Sequence, residues 1–133
     1  MAYDESLKTI SLDADASLGI YTGVPGLPGS AVPNTGKMYC FVKVTGVHQV
    51  GLAVLATNDV VGIMQNKPQN PGMAATIGYT GVSNLQVAGV VTAGSRVAPD
   101  ATGRGVIDAV NGKWIALATS TVAGEIIPVL RAI

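Results

Sequence analysis

Few residues in this chain can do chemistry. Among 133 residues there is one cysteine, one histidine, one tryptophan and one phenylalanine, and 12% are charged. A single cysteine, Cys40, excludes an internal disulfide. Within MYCFVKV it reads as a small core residue. The one histidine, His48, lies in TGVHQV between two strand-like runs, where a turn or rim position is expected. A metal site needs three or four His, Cys or acidic ligands at readable spacing, and the scattered acids do not supply them. No G-x-S-x-G is present. No catalytic, cofactor-binding or metal-ligating residue is therefore expected, and no cofactor. No apolar run approaches the ~18 residues of a membrane span, and no basic stripe suits nucleic acid. The start, MAYDESLKTI, is acidic and lacks the apolar core of a signal peptide, so synthesis in a cytoplasm is expected.

Hydrophobic residues are abundant at 48%, and most are Ala, Val, Ile and Leu. Small β-branched and aliphatic side chains favour tightly paired strands. So few charges on a small domain imply that part of its surface faces another protein. Formal net charge is zero but unevenly spread: residues 1–15 hold Asp4, Glu5, Asp13 and Asp15 against Lys8.

From Met38 onward the chain reads as short strands: MYCFVKVTGV, QVGLAVLA, VVGIMQ, AATIGYTGV, LQVAGVV, RVAP and RGVIDAV. KPQNPG and DATG separate neighbouring runs as turns. In VIDAVNGKWIALA, Asn111 and Gly112 tolerate positive φ, which predicts a two-residue hairpin. In EIIPVLRAI, Pro128 lacks an amide donor and predicts an edge strand or a bulge. Seventeen glycines interrupt any long helix. The expectation is an all-β fold, a small barrel or sandwich.

Residues 1–18 read as an N-terminal arm, either one that becomes a strand on meeting a sheet edge or a frayed terminus. Residues 19–133 read as a single β domain. Its opening stretch, GVPGLPGSAVPNTGK (23–37), resolves into neither of two familiar motifs. Three Gly triplets are too few for collagen. The Walker spacing fails because Ala31 stands where glycine is needed and Met38 where Ser or Thr is needed. A proline-stiffened surface loop remains. For Trp114, core packing is the first reading and an interface anchor the second.

The stretch GIMQNKPQNPGMAATIGYTGVSNLQVAGVVTAGSRVAPDATGRGV (62–106) and the ending AGEIIPVL (123–130) resemble small capsid decoration, or cement, proteins of tailed bacteriophages. The likeness spans roughly 38–133, and the order of its pieces carries it more than any one piece does. The chain departs from the pattern at 23–37, which looks like an insertion. The resemblance implies a β-tulip or barrel body and an N-terminal arm that orders on the shell. It also implies a non-enzymatic virion protein on the outer surface of the expanded head. Its partners would be the major capsid protein and itself, as a homotrimer, with neither nucleic acid nor membrane. The resemblance assigns no contact residues. From the residues themselves, Tyr3, Leu7, Ile10 and Leu12 are candidate capsid contacts of the arm. Val24, Pro25, Leu27 and Pro28 are a candidate interface loop, and Trp114 a candidate anchor. The competing expectations are another phage structural module (tail-tube, head-completion or fibre) and, from a different class, a small ligand-binding or hydrolytic barrel using His48.

Overall fold

The computed structural model describes residues 7–15, 17–18, 37–66 and 72–132. Ten strands form two sheets. β1 (Lys8–Ala14), β2 (Phe41–Gly46), β3 (Gln49–Leu52), β4 (Val60–Met64) and β5 (Ala74–Thr80) close into a barrel in the order β1-β3-β2-β4-β5. β6 (Val82–Gln86), β7 (Arg96–Pro99), β8 (Gly105–Ile107), β9 (Trp114–Ala116) and β10 (Ile126–Arg131) form a second sheet ordered β6-β10-β9-β7-β8. The second sheet curls: a parallel bridge between Val87 and Gly105, and a bond from the Ala88 amide to the Gly105 carbonyl at 2.9 Å, tie the end of β6 to β8. The all-β expectation holds, with a barrel in it.

Strand alternation explains how two cores share one wall. Successive side chains leave a strand on opposite faces. In β2 and β4, Val42 and Met64 point into the barrel with Val50, Leu52, Ala75 and Ile77. Their neighbours Phe41 and Ile63 point outward into the second core, against Leu85, Val97, Trp114 and Val129. Both faces are buried, so MYCFV and VVGIM carry apolar runs rather than alternation. Each such Val, Ile or Phe contributes about 1.5–3 kcal/mol by leaving water.

Side-chain amides complete the strand pairing where β4 ends. Asn66 donates to the Ala74 carbonyl and accepts from the Thr76 amide, both at 2.8 Å, which adds a rung to the ladder with β5. Gln65 Nε2 donates to Ser83 Oγ at 2.8 Å and to the Ile63 carbonyl at 2.9 Å, linking barrel and second sheet. The Gln65-Asn66 pair thus has a structural use.

Four expectations require correction. The segment read as an arm supplies β1, a wall of the chain's own barrel. It pairs antiparallel with β5 from Lys8–Thr80 to Asp13–Ala74, and parallel with β3 at Asp13 and Ala14. The division placed after residue 18 therefore falls beyond a barrel strand. Its mildly alternating SLKTISLDA buries Ala14 and half-buries Leu12 against the barrel core. Asp15 fastens the end of β1: its carboxylate accepts from the Ser17 amide, Ser17 Oγ and Thr45 Oγ1.

Second, Asn111-Gly112 makes no hairpin. β8 and β9 do not pair; each pairs with β7, which lies between them. Neither residue has positive φ. Asp108 instead caps a wider turn, accepting from the Val110 and Asn111 amides at 3.0 and 2.9 Å. Third, Pro128 sits in β10, an interior strand between β6 and β9. Its carbonyl accepts from Leu117 at 2.9 Å. No return bond can come from a proline nitrogen, and β9 stops at Ala116. Proline therefore ends a neighbour's ladder rather than marking an edge. Fourth, Trp114 is 1% exposed and belongs to the second core. The anchor reading is thereby corrected in favour of core packing, since the indole has no free face to offer a partner. By contrast, DATG does turn β7 into β8, with Asp100 Oδ1 accepting from Thr102 and Arg104 amides and Gly103 at φ 80°.

Among the described residues, two non-glycines adopt left-handed backbone, Tyr39 at φ 63° and His48 at φ 52°. Tyr39 packs on the second core, and its carbonyl accepts from the Gln86 amide at 2.8 Å, so its side chain repays the strain. His48 is exposed in the β2–β3 turn and uses its carbonyl, which accepts from Asp13 at 2.7 Å. His48→Gly keeps that carbonyl and removes the steric penalty. A gain of up to about 1 kcal/mol is expected, since the ~1–2 kcal/mol penalty exceeds the extra chain entropy of glycine. A urea midpoint below that of the unmodified protein would contradict it.

Candidate docking surface

The described residues build no catalytic constellation around the histidine. His48 projects from a turn, and no three of His, Cys, Asp or Glu come together among the described residues. Cys40 is fully buried, and burial pushes its thiol up to about 11 against the opposing pull of Lys37 and Arg104. The thiolate is the nucleophile. Folded protein at pH ~8, below the ordinary thiol value, is therefore expected to leave Cys40 unlabelled by a thiol reagent, while denaturant-unfolded chain labels fully. Rapid labelling of the native form would refute its burial.

A shallow groove of about 230 Å³ lies between residues 56–58 and 110–113. Its polar groups serve its own turns. Asn58 Oδ1 accepts from the Val54 and Leu55 amides, Asn111 Nδ2 donates to Asp108, and Lys113 lies 3.8 Å from Asp59. Ligand pockets usually begin at about 300 Å³ and are largely apolar, so the groove makes a poor small-molecule site.

The outer face of the second sheet differs. In β10 the core takes Ile127 and Val129, which leaves Ile126, Pro128 and Leu130 on the opposite face. Paired strands extend that face sideways. Ile126 stands opposite Gln86, Pro128 opposite Asn84, and Leu130 opposite both Val82 and Ile115. Leu117 lies beside Pro128 and is 47% exposed; Ile126 is 51% exposed. Arg96, opposite Ile115, contributes the charge at the border, and its guanidinium donates to the Gly112 carbonyl at 3.3 Å. The result is a nearly uncharged sheet face on which Ile126 and Leu117 are exposed, Val82, Ile115, Pro128 and Leu130 are half-buried, and Asn84 and Gln86 are the polar members.

The residues selected from sequence do not converge on this face. Leu7 packs its methyls over Gly78, Leu12 turns toward the barrel core, and Ile10 is 40% exposed on β1. Tyr3, Val24, Pro25, Leu27 and Pro28 lie outside the described residues, as does the centre of the KPQNPG turn. The signal that would have found the face was EIIPVL, a strand with apolar residues at both parities. One parity fills the core; the other requires a second cover.

No family model and no curated protein matches the chain. Among solved structures the fold is similar to the N base of the head fibre gp8.5 of bacteriophage phi29. The TM-score is 0.63 at 11% identity, covering 93% of this chain and 94% of that one. At that identity the likeness is one of fold.

Proposed function

We propose that this chain is a structural protein of a tailed-bacteriophage virion, without enzymatic activity. In this reading it docks on the outer surface of the expanded icosahedral head as a decoration protein. The observation that carries the proposal is the fold agreement with a phage head-fibre base across nearly the whole of both chains. The apolar face on β6, β10 and β9 supports it, because such a face gains most by exclusion from water. The protein clamps neighbouring major capsid subunits and stabilises the shell by binding only its assembled form, through linkage. A homotrimer at local three-fold positions multiplies modest contacts, since later contacts become intramolecular.

Sedimentation tests the proposal. Purified protein is expected to co-migrate with expanded heads, filled or emptied, and not with free capsid subunits. A Leu117→Lys, Ile126→Lys double variant should fold normally and lose that co-migration. Absence of the unmodified protein from the head fraction would sink the proposal.

The same fold likeness favours a second reading, a fibre base. Imaging of heads with the protein present and absent separates the two: density lying flush on the shell indicates decoration, and density that carries a projecting fibre indicates a fibre base.

A further inference from the structure

The Asn111-Gly112 pair, unused as a hairpin, has a second chemical meaning. Asn-Gly is the dipeptide most prone to spontaneous deamidation. The glycine backbone nitrogen attacks the asparagine Cγ, a C–N bond closes a succinimide, and ammonia leaves. Water then opens the ring to aspartate or isoaspartate.

Here every group needed for that attack is engaged by one residue. The Gly112 N–H donates to the Asp108 carbonyl at 3.0 Å. Asn111 Nδ2, the nitrogen that would leave, donates to Asp108 Oδ2 at 3.1 Å, and the Asn111 amide donates to Asp108 Oδ1 at 2.9 Å. Gly112 is itself buried, and a Cβ there would stand 2.5 Å from the Asp108 carbonyl oxygen and 2.8 Å from the Val97 nitrogen. The packing therefore demands the glycine that makes the sequence fragile.

We propose that Asn111 is a latent deamidation site that Asp108 keeps silent in the folded protein. Attack requires the Gly112 nitrogen to lose its proton, and that proton is held in a hydrogen bond. The resulting anion would face the Asp108 carbonyl oxygen, while the Asp108 carboxylate holds the two preceding amides. That carboxylate is ionised at neutral pH, because bonds from the Asn111 amide, the Asn111 side chain and the Val110 amide hold its pKa below the usual value. Closing the five-membered ring also requires the Asn111 carboxamide to be free to turn, and its bond to Asp108 Oδ2 restrains it. Opening of the turn, locally or globally, releases all three restraints. The product is irreversible. Isoaspartate lengthens the backbone by one carbon three residues before the core Trp114, and either product adds a carboxylate beside that of Asp108.

The test compares folded protein, denaturant-unfolded protein, and the Asp108→Ala and Asp108→Ser variants in mildly alkaline buffer. Digestion and mass spectrometry then resolve Asn, Asp and isoAsp at position 111. Folded wild type should stay intact while the unfolded chain converts. Folded Asp108→Ala should convert about tenfold faster than folded wild type, which corresponds to ~1.4 kcal/mol in the barrier. Serine retains an acceptor for the 110 and 111 amides but cannot hold the carboxamide, so its rate should fall between the two. It carries the test if the alanine variant fails to fold, with native Trp114 fluorescence as the check. The proposal is overturned if folded wild type converts as fast as unfolded chain, or if a natively folded Asp108→Ser stays as silent as wild type.

Discussion

Trp114→Ala is expected to lose about 3–5 kcal/mol, the range for emptying a large aromatic site. Domains of this kind have total stabilities of roughly 5–15 kcal/mol. The variant should therefore sit near or below the folding threshold at room temperature. The reason is where the indole lies. It joins Phe41 and Ile63 from the barrel wall to Leu85, Val97 and Val129 of the second sheet. The Arg131 guanidinium lies 5.6 Å from the ring centroid, a cation–π distance. Truncation would thus weaken the contact between sheets as well as the curl of one. Trp114→Phe should cost about half as much or less, because the indole N–H that phenylalanine deletes is buried without a partner among the described residues. Equal losses for the two variants in urea titrations would contradict this account. Trp114 is the chain's one tryptophan, so its fluorescence reports unfolding of the unmodified protein directly.

Gly62→Ala should be nearly as severe, for the opposite reason. A Cβ at position 62 would collide with the Gly78 carbonyl oxygen of β5 and stand 2.8 Å from Ile77 Cγ2. The first obstacle is backbone in a closed barrel, which cannot swing aside as a side chain can. Position 78 is itself restricted, since a Cβ there would lie 2.8 Å from Leu7 Cδ1. Two glycines therefore set the close approach of β4, β5 and the residue before β1. Overpacking of this sort costs about 1–3 kcal/mol and sometimes more, and the upper end is expected here. In a domain of this size that lowers the melting temperature by roughly 10 °C. Gly89→Ala, at a site with nothing within 4 Å, is the matched control and should change little. Unaltered thermal stability of Gly62→Ala would mean that the barrel can widen at β4–β5.

The strands are legible because their side chains must fill two cores: β2 to β5, β7 and β8 fall within the runs read from sequence, whereas β6 (Val82–Gln86) straddles the end of AATIGYTGV and the start of LQVAGVV. Pairing was less legible. Asn111-Gly112 has hairpin chemistry, yet partner choice depended on β7 reaching β9 first from across the sheet. Pro128 suggested an edge because proline lacks a donor, but one missing bond also fits where a neighbouring strand ends. β1 reads as an arm because its stretch is polar, acidic and only mildly alternating, and five of its seven residues are in fact exposed. Its place in the barrel rests on backbone bonds and on Leu12 and Ala14, which composition does not reveal. The docking face escaped for a related reason. The apolar second parity of EIIPVL was visible, but Val82, Ile115 and Leu117 join it only through register.

The order of the second sheet bears on how the protein must be made. β10 is the latest of the ten strands in sequence, yet it stands between β6 and β9 and holds the two parts of the sheet together. During folding, the facing edges of β6 and β9 stay open until residues 126–131 pair with both. Open apolar edges are templates for pairing with another chain. A chain truncated before Ile126 would therefore carry a complete barrel beside a second sheet with two unpaired edges, and is expected to aggregate. The yield of folded protein would then depend on how quickly these six residues dock between β6 and β9.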